Sequence, residues 1–541
     1  MKETIIYNEA PEVRAIRNAG LRGGKAAARA ARAAAARILF AALFVLVAGS
    51  CYRDRGNYDY SDINEITIGA RGFEGVNYRL RSGVDVLRIN PDIRASLDPD
   101  FRGSYEYEWV ATGQVRNPGV RTVIARTRDL EYAVELPSDE YVLSLRITDP
   151  ATGLMFSRRT ELSVSTAYTR GWLVATEDAA GRAVVDMVSI SRDTLFQRNV
   201  IHGDEPHLGP QQIWCDNNEY TAQVHGRVYL STAEGSFLYN RETLSTDDYT
   251  VMRNYFADPS HLTQAIASDM IQIDDKLRVF LVDGFAYVYS ISSANTGYFG
   301  NPVNRYAGSY DYAALGDKLA YNLSGGAGAG AITTVMLYNN RDKRFCYLTR
   351  SDLTMSNATD TESDIALYTW VTGFDYVTTV NSRFLAGQSA TLLHDPQTGE
   401  YWIYTYACLR SGPSKGARYR VDGAVPVAGA RNWCMTSQHG YLLYTVGSEL
   451  YGYDFRNGRA PVRLMDCGSD EITLLHNDIH SSVDGNADCL YLCTYTPGSD
   501  AGGRMRKYYV ADTADRIELR PEETTDWTGF GRIRALWFKE L

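Results

Sequence analysis

The chain has 541 residues, with 65 Asp and Glu against 55 Lys and Arg, for a formal charge of −10. Eight of the basic and three of the acidic residues fall in the first 50, which leaves the other 491 near −15. A body this acidic argues against nucleic acid as a partner and against electrostatic adhesion to anionic lipid headgroups. Tyrosine is used 38 times and sustained helical periodicity is rare, so the expected fold class is all-β.

The first element is a leader. Ile38 to Val47 is an uncharged apolar run, preceded by Arg22, Lys25, Arg29, Arg32 and Arg37 and followed by Ala48, Gly49 and Ser50. Basic region, short apolar core and small residues are the parts of a secretory signal. The core is too short to span a hydrocarbon layer, which takes roughly 20 residues. Leu46-Val47-Ala48-Gly49-Ser50-Cys51 resembles the lipobox of bacterial lipoproteins. That resemblance implies cleavage before Cys51, acylation of Cys51, and a membrane contact made by acyl chains. An ordinary signal peptide with an incidental cysteine is the alternative. Residues 1–50 are thus assigned to the signal and 51–55 to a lipidated tether.

Residues 56–166 read as a β-sandwich of immunoglobulin type. Ile63, Ile66 and Ile68 sit in a short strand-like run. Tyr105-Glu106-Tyr107-Glu108-Trp109 and Tyr141 to Ile147 alternate with the period of half-buried strands. Asp149-Pro150-Ala151-Thr152-Gly153 is a turn, and Arg159 to Ser165 returns as a strand. The opening CYRDRGNYDYSDINEI, the YEYEW strand and the YVLSLRITDPATG hairpin resemble the PKD-like family of lipoproteins from Bacteroidetes. The resemblance implies a gene neighbourhood with SusC-like and SusD-like outer-membrane importers. It carries over no catalytic motif.

From residue 167 to 541 the chain repeats. Strand-turn-strand units begin near Gly171, His225, Asp274, Ala331, Ser389, His439 and Ala487, at spacings of 48 to 58 residues. This period predicts a β-propeller of about seven blades. No blade buries both faces alone, so the ring must close, and Ile533 to Phe538 is the segment expected to complete the first blade. A large sandwich or two stacked β domains is the competing architecture.

Several segments invite a chemical reading. His202, Asp204, Glu205 and His207 lie within six residues, and His476, Asp478 and His480 share one face if the strand stays extended. Either set suits a metal or acid–base chemistry, but interblade loops commonly look the same, and no metal or cofactor is assigned. Gly325 to Gly330 lacks the Lys-Ser/Thr of a phosphate loop and reads as an interblade loop. The pairs Asp247-Asp248 and Asp274-Asp275 serve glycoside hydrolysis only at a suitable separation across a pocket. Of the seven cysteines besides Cys51, most are read as small buried apolar side chains. Aromatic residues between the strand pairs are the stronger signal. Trp214, Tyr255, Tyr298, Tyr306 and Tyr310 are the candidate ligand-binding positions, since Trp and Tyr stack on sugar rings.

The expected function is a lipid-anchored, non-enzymatic accessory protein of the outer membrane. It binds a glycan or peptide within a SusC/SusD-like uptake system, with the cell surface as the expected location and the periplasmic face still open. A propeller-type polysaccharide lyase or hydrolase and a structural envelope protein are the alternatives.

Overall fold

The computed structural model describes Ile63 to Glu540, apart from positions 116, 167, 191–193, 202–206, 217–226, 247–249, 274–276, 291–298, 323–333, 350–353 and 481–487. Cys51 therefore lies outside the described residues. Ile63–Glu65 and Ser96–Asp98 are the described part of a separate unit, in which the Glu65 amide donates to Ser96 Oγ at 2.8 Å.

The fold is all-β and begins with a sandwich. A five-stranded sheet runs in the order Asn77–Arg81, Leu154–Ser165, Asp139–Asp149, Glu106–Gly113 and Arg121–Ala125. Two-stranded sheets, Val86–Ile89 with Leu130–Ala133 and Ile66–Ile68 with Ile93–Ala95, accompany it. One apolar core joins all three sheets, and in it Trp109 stacks on Phe73 with centroids 5.9 Å apart. Trp109 has its indole N–H satisfied by the Thr127 carbonyl at 3.0 Å. The hairpin at Asp149 closes as its sequence predicts. Gly153 takes φ +73°, and its amide donates to the Asp149 carbonyl at 2.7 Å, a conformation that strains any residue with a Cβ. Tyr141 anchors the entry to its strand by donating to the Pro137 carbonyl, four residues upstream, at 2.8 Å.

Seven antiparallel sheets follow, here called blades 1 to 7. Their first strands in sheet order are Arg532–Lys539, Pro210–Cys215, Ala267–Gln272, Ala320–Tyr321, Asp375–Asn381, Arg431–Met435 and Glu471–Asn477. These are the inner strands. Each contacts the inner strand of the next blade, or reaches it by hydrogen bonds, as when the Leu319 amide donates to Asp269 across blades 3 and 4 at 2.8 Å. Blade 1 combines the two ends of the segment: Arg532–Lys539 pairs antiparallel with Gly171–Glu177, so the last strand closes the ring.

Seven apolar clusters fill the seven seams between neighbouring blades, including the closing seam of blades 7 and 1. In that seam Trp172 packs against Tyr491 and Phe538, with centroids 4.4 and 5.1 Å away. A complete set of seams is what a blade needs, since a lone sheet leaves one apolar face wet. The seven described cysteines are all free thiols and six are buried, which agrees with their reading as packing residues. Buried Lys539 joins the ring to the sandwich linker by donating to the carbonyls of Tyr168 and Thr169 at 2.6 and 2.9 Å.

Candidate functional site

The two ends of the ring are built differently. The inner strands end together on one side, and there the chain after Glu471–Asn477 turns inward. Ile479 joins the core between blades 3 and 4. Its carbonyl accepts from Arg383 Nε of blade 5 at 2.8 Å. His480 Nε2 lies 3.0 Å from the hydroxyl of Tyr321 on blade 4, and its ring lies 5.1 Å from Trp537 on blade 1. Blades 4 and 7 stand on opposite sides of a seven-membered ring, so this short segment crosses the axis. His476 and His480 are partly buried as residues, and protein surrounds their rings. Desolvation holds their imidazoles at about 4 and about 3, so both are neutral.

On the other side the inner strands begin, and a cleft of about 450 Å³ lies between blades 5 and 6. Asp375, His394 and Tyr401 form one of its walls. They are register partners across three neighbouring strands, Asp375 opposite His394 and His394 opposite Tyr401. The tight turn after His394 sets their spacing: the Gln397 amide donates to Asp395 Oδ1 at 2.9 Å and Thr398 Oγ1 to Oδ2 at 2.7 Å. Those hydrogen bonds, led by Thr398, hold the Asp395 carboxyl below its usual range. Asp375 pairs with Lys343, and its Oδ2 is 4.0 Å from His394 Nδ1. The His394 and Tyr401 rings lie tilted with centroids 4.8 Å apart.

Blade 6 supplies the facing wall with Arg431, Asn432 and Trp433. The strand bulges here: Arg431 pairs with Thr445 and Cys434 with Leu443, so Asn432 and Trp433 together oppose Tyr444. Asn432 takes φ +52°, a strained conformation for a residue with a Cβ, and donates to Thr445 Oγ1 at 3.1 Å. Bulges re-aim side chains and terminate alternation. Trp433 is supported on one side by Tyr444, 4.9 Å away, which in turn stacks on Tyr451 at 5.4 Å. The cleft thus combines an aromatic platform, a carboxylate, an imidazole, an amide and a guanidinium, the polar and aromatic mixture that orients a ligand in a largely preformed site.

The residues expected from the sequence are distributed otherwise. Trp214 and Tyr255 are 4% and 9% exposed and pack in the seam of blades 2 and 3, because their apolar rings fill the gap between two sheets. Tyr306 is half-buried against the seam of blades 3 and 4, and its hydroxyl accepts from Asn339 at 3.2 Å. Tyr310 is 90% exposed, and Tyr298 lies outside the described residues. Positions 202–206, 247–248, 274–275 and 325–330 are likewise outside them; His207 is described and stacks on Phe237 at 3.5 Å. The regular strand ends at Asn477, so His476, Asp478 and His480 do not share one extended face, as the sequence had suggested. Among the described residues no group of three His, Cys, Asp or Glu side chains could hold a metal ion. No described helix is long and apolar enough to cross a membrane.

The architecture defines the class: an all-β protein with a sandwich followed by a propeller of seven sheets. Residues 51–205 match the model of the PKD-like family, a stretch covering the sandwich and running into blade 1. No curated protein matches the chain. Solved structures similar to it include a quinonprotein alcohol dehydrogenase-like protein from Bacteroides thetaiotaomicron, 13% identical, covering 87% of this chain and 99% of that one with a TM-score of 0.35. Apo AztD from Citrobacter koseri is 9% identical and covers 80% and 98%, with a TM-score of 0.34. The rhamnogalacturonan lyase YesW is 9% identical and covers 82% and 92%, with a TM-score of 0.29.

Proposed function

We propose that this protein is a lipid-anchored binding component of the bacterial outer membrane, which captures a glycan in the cleft between blades 5 and 6. The observation that carries the reading is Trp433, braced from behind by Tyr444 and set beside Asp375, His394, Tyr401 and Arg431. Sugar rings stack on such platforms while polar side chains read their hydroxyls. The lipobox at Cys51 supports an acyl anchor, and the resemblance of the opening segment and sandwich motifs to PKD-like lipoproteins suggests a role beside a SusC/SusD-like importer. On this reading the sandwich is a spacer that holds the propeller away from the bilayer.

A glycan array probed with the wild-type chain and with Trp433→Ala tests the proposal. Retention of a defined glycan by the wild type and its loss in the variant is the expected result. Equal retention by both, or none by either, counts against it.

A second reading has its own observation. Asp375 beside His394, with Tyr401 next in the same row, is a set able to exchange protons with a bound sugar, as a hydrolase or lyase needs. Turnover of a bound polysaccharide that disappears in His394→Ala would favour that reading over simple capture.

A further inference from the structure

The cleft also indicates which kind of sugar it takes, and this inference rests on the binding role proposed above. Arg431 opens the inner strand of blade 6 and lines the cleft. Its Nη1 donates to the carbonyls of Ala428 and Ala430 at 3.0 and 2.8 Å, which fixes the guanidinium without neutralising it. Among the described residues no carboxylate lies within ion-pairing distance of it. Other arginines in the same part of the ring, Arg420, Arg459, Arg463 and Arg504, each pair with an Asp or Glu. The carboxylate in the cleft, Asp375, is already paired with Lys343. So the uncompensated charge facing the cleft is positive, and it sits two residues from the Trp433 platform.

We propose that the cleft selects a sugar bearing a carboxylate, a uronate or a sialate, with the ring stacked on Trp433 and the carboxylate on Arg431. A guanidinium already held by backbone carbonyls loses little freedom on binding and keeps its Nη2 and Nε edge for a charge-assisted pair. A net acidic protein gives an anionic polymer no long-range attraction, so selection has to come from this local charge.

The test is titration calorimetry at physiological salt, where surface electrostatics are largely screened. An oligogalacturonide is compared with the same oligomer methyl-esterified at its carboxyls, and 3′-sialyllactose runs in parallel to separate the two acid sources. The expected result is that one acidic probe binds roughly tenfold or more tightly than a neutral sugar, the scale of one hydrogen bond to a charged group. Arg431→Gln should erase that preference, while Trp433→Ala should weaken acidic and neutral sugars alike. Equal binding of acid and ester, both lost in Trp433→Ala, overturns the acidic selectivity and leaves the glycan-binding role standing. A preference that survives Arg431→Gln overturns the part given to Arg431. No binding of any probe overturns both the selectivity and the binding role. Both variants are checked for a retained cooperative melting transition, because Arg431 is exposed while Trp433 is partly buried against the seam of blades 5 and 6.

Discussion

The two ends of the propeller ring spend their side chains differently. At one end Asn477 to His480 crosses the axis, and three of its polar groups find partners inside the protein: Asn477 on the Met435 carbonyl, the Ile479 carbonyl on Arg383, His480 on Tyr321. At the other end Asp375, His394, Arg431 and Trp433 line a cleft and keep surface for a visitor. The lesson is one of allocation. The sealed end ties blades 3, 4, 5 and 7 together and contributes to stability, whereas the open end gives up some of that stabilisation and leaves a strained Asn432 beside a guanidinium with no carboxylate partner among the described residues. Substitutions at the two ends should therefore separate stability from binding.

The largest expected effect breaks the ring itself and removes both ends together. Arg532–Lys539 supplies the inner strand of blade 1 and apolar groups to two seams, so truncation before Arg532 should abolish the cooperative melting transition of the propeller. Circular dichroism of the truncated chain measures this, and a retained transition at the wild-type temperature would refute closure by that strand.

Next comes the sealed end. Ile479→Ala should lower unfolding free energy by about 2–4 kcal/mol, as deletion of a packed aliphatic side chain does. Denaturant titration reads that loss, and ligand affinity at the far cleft should stay within about twofold, since distant sites are nearly independent.

Acid provides a third, graded effect at the same end. His476 and His480 are neutral in the folded protein down to about pH 4 and about pH 3, whereas an unfolded histidine takes its proton near 6.5. The unfolded state then binds more protons below pH 6.5, so their contribution is present above it and is lost as pH falls towards 3–4. Up to roughly 3 kcal/mol is at stake for His476, at about 1.36 kcal/mol per pKa unit. His480→Gln should flatten the fall in melting temperature between pH 6.5 and 4; an unchanged slope would mean the ring is hydrated rather than desolvated.

The smallest stability effect belongs to the open end. Trp433→Ala should cost no more than about 1 kcal/mol, because the side chain is partly exposed and rests on a tyrosine stack that survives without it. Its effect on binding should be large, and that opposition is the sharpest form of the contrast between the two ends.

Much of this architecture can be read from the residues. The strand pairs that begin near Gly171, Ser389, His439 and Ala487 are the second and third strands of their blades, and Ile533 to Phe538 lies in the closing strand. Regular alternation makes such pairs visible. The other six inner strands were hidden, five of them because a bulge of one or two residues breaks the period, at Gln211, Ser268, Val377, Asn432-Trp433 and Thr473. The sixth, Ala320–Tyr321, is two residues long. The site was hidden for a related reason. Asp375, His394 and Tyr401 become neighbours only through strand register, and Trp433 faces the cleft only because of its bulge. Aromatic character alone pointed equally to Trp214 and Tyr255, whose rings belong to a seam. The available signal was Arg431-Asn432-Trp433 itself, a polar pair and a tryptophan at the start of a strand after the turn-rich segment Asp422 to Ala430.

The central claim is that ligand enters at the cleft and that the crossing segment is structural. Hydrogen-exchange mass spectrometry, with and without a saturating oligosaccharide, tests it most directly. The account predicts new protection at 375–378, 394–401 and 427–433, with none at 477–480. Protection centred on Tyr321 and Asn477 to His480, with the cleft unchanged, would contradict it.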